Sequence, residues 1–245
     1  MKPVLFLTSA LLLCPPLQAQ PLLSSRSEAS ANQATEIAAN LLRDRRLVSG
    51  MAVSSAVFLA GALLKDKAGP EQAMLTTPPA IDRKFRDWFV NPGKDSNWLD
   101  DNGVYYTLAA GLGASLLLPG RESNTENRIR SLLAYTSGFA LTGGVTWAIK
   151  GLVSRPRPYV YYGTTGSPDE KTAWRSFISG HASAAFYTAA YLHLAWREQQ
   201  DGTPDRARFL VPAVLYGSAT YVAWSRMEID RHYFTDLVAG AAAGV

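Results

Sequence analysis

Apolar and polar residues along this chain are grouped in long blocks, with no residue-by-residue alternation. Uncharged apolar stretches run over Leu47–Leu64, Val104–Pro119, Ser131–Ile149, Ser176–Trp196 and Phe209–Ser225, and an arginine or lysine closes each one. Blocks of roughly 16–21 residues predict helices, because strands usually stop short of about ten residues. The expected fold class is therefore all-α, an antiparallel helical bundle of about five to six core helices. Between the blocks, residues 65–103 are charged and broken by Pro78, Pro79, Pro92 and Gly93, which predicts a capping loop with one short helix near Ile81–Phe89. Asn32–Arg46 predicts an amphipathic helix with Ile37, Leu41 and Leu42 on one side, and Leu237–Val245 is too short to span a membrane.

The N-terminus changes this picture. Lys2, the apolar Val4–Cys14 and then Leu17-Gln18-Ala19 fit a secretory signal cleaved after Ala19, and the same residues also permit an uncleaved anchor. Domain organisation is read as residues 1–19 signal or anchor, 20–46 a polar segment, and 47–245 one helical domain, since no Pro/Gly/Ser-rich linker divides it.

Charge and composition narrow the functions. The net charge of +4 comes from 24 basic and 20 acidic residues with no basic run, so a nucleic-acid partner is not expected. Cys14 is the only cysteine and lies in the leader, which removes disulfides, thiolate metal sites and a cysteine nucleophile from the body. No nucleotide-binding glycine pattern occurs, and no metal or other cofactor is expected.

Three clusters sit at the ends of the apolar blocks. Lys150 is followed after six residues by Arg157-Pro158; Ser179-Gly180-His181 opens one helix; Ser225-Arg226 closes the next, with His232 and Asp236 just beyond. Taken alone, Ser225–Asp236 is equally a charged helix end. On a helix, however, His232 and Asp236 would share a face, and the carboxylate could hold an imidazole N–H. Alternating helix direction brings all three clusters to one end of the bundle, which is where the active site is expected.

Each residue then has a physical task. Lys150, Arg157 and Arg226 offer fixed positive charge, and the arginine fork matches phosphoryl oxygens. Ser179 offers a hydroxyl, and the Gly180 and His181 amides lie at a helix N-terminus, a ready anion site. His232 can attack phosphorus with Asp236 orienting its ring, while His181 protonates the leaving oxygen and later activates water.

These clusters resemble the three signature motifs of the type 2 phosphatidic acid phosphatase superfamily, which includes lipid phosphate phosphatases, bacterial class A acid phosphatases and vanadium haloperoxidases. The family patterns K-x6-R-P, P-S-G-H and S-R-x5-H-x3-D match in order and spacing over residues 150–236, with Ile178 standing where the second motif usually has proline. The resemblance implies phosphate binding by Lys150, Arg157, Ser179, Gly180 and Arg226, with His181 as acid, His232 as nucleophile and Asp236 as its partner. Arg155, Asp230 and Arg231 match no family position and are read as surface or rim residues. Tyr159, Tyr161 and Tyr162 are read as an aromatic belt, and His193 as lying outside the site.

The expected function is metal-independent hydrolysis of a phosphomonoester or pyrophosphate, on a lipid phosphate, through a phosphohistidine. A soluble periplasmic acid phosphatase acting on small phosphoesters is the alternative, followed by a vanadate-dependent haloperoxidase and an inactive envelope scaffold. Apolar blocks of this length favour membrane spans, whereas a mean hydropathy near zero and 47% apolar residues are ordinary for soluble chains. If an exported leader preceded three spans, the catalytic loop would return to the cytosol. Either the leader is cleaved and the bundle is periplasmic, or Arg43–Arg46 stay inside. The expectation is an envelope protein, membrane-associated, with its site on the periplasmic side. Oligomeric state is not legible.

Overall fold

A computed structural model describes residues 20–91, 93–94, 96, 98–117, 124–164, 167–199 and 205–245, so the leader at 1–19 lies outside the described residues. Among the described residues there are helices and turns but no strand; one isolated backbone bridge joins Arg155 and Arg175. The fold is all-α, as the long apolar blocks predict. The helices are α1 (Gln20–Arg43), α2 (Arg45–Leu64), α3 (Ala80–Phe89), α4 (Trp98–Leu117), α5 (Thr125–Val153), α6 (Pro158–Tyr162), α7 (Gly180–Arg197), α8 (Asp205–Glu228) and α9 (Phe234–Gly244).

The described residues divide into two compact units, the first ending at Asp44 and the second beginning at Arg45. In the first, α1 begins well before the expected Asn32 and stops at Arg43 rather than Arg46. In the second, α5 is the central helix, packing on α2, α4 and α7, while α7, α8 and α9 form the other half.

Sequence-local chemistry sets the ends of these helices. The Asn124 side chain accepts from the Asn127 N–H at 2.8 Å and starts α5. Ser154 ends it in the left-handed conformation at φ 47°, donating its N–H to Lys150 O. Ser179 caps α7 by accepting from Ala182 N. In α9 the Asp236 carboxylate reaches back to the Tyr233 N–H, closing a capping box.

Small residues allow the close approaches that matter for the site. A Cβ on Gly144 of α5 would lie 2.6 Å from Val57 O and 2.7 Å from Phe58 Cα of α2, and one on Gly61 would collide with the Gly144 backbone, so α2 and α5 touch backbone to backbone. Gly240 of α9 does the same against α7, where a Cβ would sit 2.5 Å from Ser179 O. Together with the Ser179 N–H bond to Asp236 O at 2.9 Å, this contact fastens the third cluster to the second.

Candidate active site

The expected convergence is present in the geometry. Lys150 closes α5, Arg157 precedes α6, Gly180 and His181 open α7, Arg226 lies in the last turn of α8, and Asp236 lies in the first turn of α9. Lys150, Arg157, Gly180, His181 and His232 all line one cavity of about 350 Å3. Its remaining walls are apolar for the most part, from Phe58 of α2, Val104 and Leu108 of α4, and Phe139 and Trp147 of α5.

His232 is not on a helix. It lies in the bend between α8 and α9, and its backbone N–H donates to Arg226 O at 3.2 Å. Its i,i+4 relation to Asp236 therefore arises from a tight loop folding onto the first turn of α9, which corrects the expectation of a shared helical face. Nδ1 of His232 lies 3.5 Å from Asp236 Oδ2, beyond good hydrogen-bond length, and makes no other contact with an acceptor. The other ring nitrogen, Nε2, is the one left for the cavity.

His181 packs against the start of α4. A Cβ on Gly103 would stand 3.1 Å from its Cδ2, and its ring hydrogen-bonds the Asp101 backbone, while Nε2 is buried with no protein partner. Burial first, then the positive charges of Arg226, Arg157 and Lys150, push His181 down to about 3. His232 is driven well below its ordinary value, by burial first and then by Arg157, Lys150 and Arg226. Both imidazoles are thus neutral in the free protein at physiological pH.

Lys150 and Arg157 are held by carbonyls, which neutralise no charge. Lys150 Nζ donates to Arg175 O at 2.7 Å. Arg157 donates from Nε to Thr172 O at 2.9 Å and from Nη1 to Arg231 O at 3.0 Å, and burial brings its pKa down to about 10, so it remains charged at neutral pH. Arg226 is 5% exposed, with Nη1 3.8 Å from the exposed carboxylate of Asp101. A Cβ on Gly180 would lie 4.0 Å from Lys150 Cε, so the first cluster faces the start of α7. Ser179 is fully buried, and its Oγ serves as the α7 cap.

Two residues expected at the rim are in fact interior. Arg155 is 2% exposed and bonds Asp236 Oδ1 at 2.6 Å and Asp82 Oδ2 at 2.6 Å. Asp230 is buried at positive φ and takes a two-pronged bond from Arg86, 2.8 Å on each oxygen. They are buried because each is neutralised by a residue of α3, more than seventy positions upstream. Arg231 does lie at the rim, over the Tyr159 ring, and its carbonyl holds Arg157. Tyr159 is core, hydrogen-bonded to Glu170 at 2.9 Å, so it belongs to no belt. His193 lies on α7 against Tyr216, outside the cavity.

The peptide bond before Ile178, the position where the motif departs, is cis. A family model, described as the PAP2 superfamily, matches residues 131–245. That range contains all three clusters. The matched range is 115 of the 245 residues and makes this part of the chain similar to the PAP2 superfamily. The chain is also 27% identical over 126 residues to a lipid A 1-phosphatase of Porphyromonas gingivalis, a match covering 51% of this chain and 24% of that protein. The chain thus spans about a quarter of that relative's length.

Proposed function

We propose that this chain is a member of the PAP2 superfamily and a phosphatase acting on a lipid phosphate, through a phosphohistidine on His232 and without a metal ion. The observation that carries it is the joining of one charged end, with Lys150, Arg157, His181 and His232, to apolar walls within a single cavity. A phosphoryl group suits the charged end and a hydrocarbon chain suits the walls. The similarity to a lipid A 1-phosphatase supports the same class.

In this reading the phosphoryl oxygens bind Lys150, Arg157, Arg226, the Ser179 hydroxyl and the Gly180 and His181 amides, which stabilise charge as it develops. Nε2 of His232 attacks phosphorus, and Asp236 holds the Nδ1 proton. Nε2 of His181 gives a proton to the leaving oxygen, then takes one from the water that cleaves the phosphohistidine. The neutral state of free His181 makes that proton depend on substrate. A phosphate dianion beside Lys150, Arg157 and Arg226 reverses the local potential and raises the affinity of His181 for a proton.

Phosphate release from phosphatidate, polyprenyl pyrophosphate, lipid A and a small aryl phosphate, each with and without EDTA, tests the reading. Lipid substrates are expected to give kcat/KM at least tenfold above the aryl phosphate, with no loss in EDTA and inhibition by vanadate. Equal rates on lipid and aryl substrates would favour the small-phosphoester alternative, and full loss in EDTA would overturn metal independence.

The same reading places the chain in the envelope, at a membrane, with its site on the periplasmic side. Helices α2 and α5 are long and apolar enough to cross a bilayer, with mean hydropathy 2.0 and 1.2 over their best windows, and little of either window is buried. Leu59 and Leu63 of α2 and Phe209 and Val214 of α8 are exposed. The protein is expected to stay in the membrane pellet after a carbonate wash; full release would overturn integral insertion.

A further inference from the structure

Asp236 is engaged on every side before it meets His232. Its carboxylate is fully buried; Oδ1 accepts from Arg155 Nη1 at 2.6 Å, and Oδ2 accepts from Ser176 Oγ at 2.5 Å and from the Tyr233 N–H at 2.9 Å. Arg155 lies over the Tyr233 ring at 3.9 Å and gives its other terminal nitrogen to Asp82 at 2.6 Å. Asp82, 1% exposed on α3, also accepts the Thr235 N–H at 2.9 Å and the Thr235 hydroxyl at 2.8 Å. A buried carboxylate–guanidinium–carboxylate chain therefore runs from α3 to the first turn of α9, just after the loop that carries His232.

The charge count of this chain matters. A single arginine against Asp236 would leave a neutral pair beside the imidazole. With Asp82 sharing the guanidinium, two carboxylates face one cation, and one net negative charge remains next to His232. An imidazole that attacks phosphorus becomes cationic, so that charge favours the intermediate over the free protein. The chain also fixes Oδ2 in position, because Arg155 grips Oδ1 while Ser176 and Tyr233 grip Oδ2.

We infer that Asp82 and Arg155 are positioning residues of the reaction, holding the Asp236 carboxylate aimed at Nδ1 of His232. This rests on the phosphohistidine reading above. Neither residue lines the anion pocket, so their loss should act on turnover and leave binding intact.

The test compares Asp82→Asn and Thr235→Val with the parent and with His232→Ala, in the full-length protein, on a small aryl phosphate. The folded fraction is counted by vanadate binding. Asp82→Asn is expected to lower kcat by about 10- to 100-fold, with KM and vanadate affinity within about threefold of the parent. Thr235→Val removes one hydroxyl from the chain and should lower kcat by about three- to tenfold; it decides the matter if Asp82→Asn fails to fold. Unchanged kcat in the folded fraction of the deciding variant, or a loss that lies wholly in KM, overturns the inference. If His232→Ala is inactive while both other variants match the parent, only this inference falls. If His232→Ala turns over normally, the phosphohistidine chemistry beneath it falls as well.

Discussion

Alanine at His232 is expected to reduce phosphate release by about 10,000-fold or more, with lipid and aryl phosphate alike. No neighbouring side chain can replace the nucleophile. His181 is committed to the start of α4, and Lys150 and Arg157 are kept in place by backbone carbonyls. Binding should survive, because Lys150, Arg157, Arg226 and the α7 N-terminus are untouched, so vanadate should still protect the variant against heat. Residual turnover within tenfold of the parent would remove His232 from the mechanism.

The companion substitution, His181→Ala, separates the two half-reactions. An aryl phosphate with a good leaving group needs little protonation, so His232 should still be phosphorylated. Water attack then lacks its base. The expected trace is a burst of aryl alcohol close to one equivalent, followed by a steady rate about 100- to 1,000-fold below the parent. The trapped adduct should survive alkali and break down in acid, as a phosphoramidate does. A linear trace from the first turnover, with no trapped phosphate, would mean that water attacks the substrate directly.

The residues that can do this chemistry were legible because they are clustered within short spans, each at the end of an apolar block. Helix length and alternating direction follow from the blocks, so the convergence of Lys150, His181 and Arg226 on one end could be deduced. What escaped was the second layer. Asp82 lies in a charged ten-residue helix with no local sign that it is buried, and its partners Arg155 and Thr235 are 73 and 153 positions away. Charged side chains in a loop are normally solvated, and only a partner brought by the tertiary fold permits their burial. Arg155 gave one faint signal, its place in Arg-Pro-Arg-Pro, where two prolines fix the backbone and send the two arginines to opposite tasks. His232 shows the converse error: spacing of four suggests a helical face, yet a capping box at Tyr233 starts the helix only after the histidine.

The free protein is expected to lose stability as pH falls below about 6.5, and bound phosphate should restore it. The sign follows from His181 and His232, whose folded pKa values lie below the unfolded value of about 6.5. Above that pH both are neutral in either state and their contribution is fully present. Below it the unfolded chain takes up protons that the folded chain refuses, and stability declines toward pH 3, where His181 begins to be protonated in place. At pH 5 the cost from His181 is about 2 kcal/mol, and His232 adds to it in the same direction. A phosphate or vanadate ion among Lys150, Arg157 and Arg226 changes the balance, because its negative charge lets His181 accept a proton while folded. Melting midpoints of the parent and of His181→Gln, measured between pH 8 and 5 with and without vanadate, read this directly. The parent should fall steeply, the variant less steeply, and vanadate should flatten the parent curve. A parent whose midpoint holds constant down to pH 5 without ligand would show that the two imidazoles take up protons alike in the folded and unfolded chain, which would overturn their lowered pKa values.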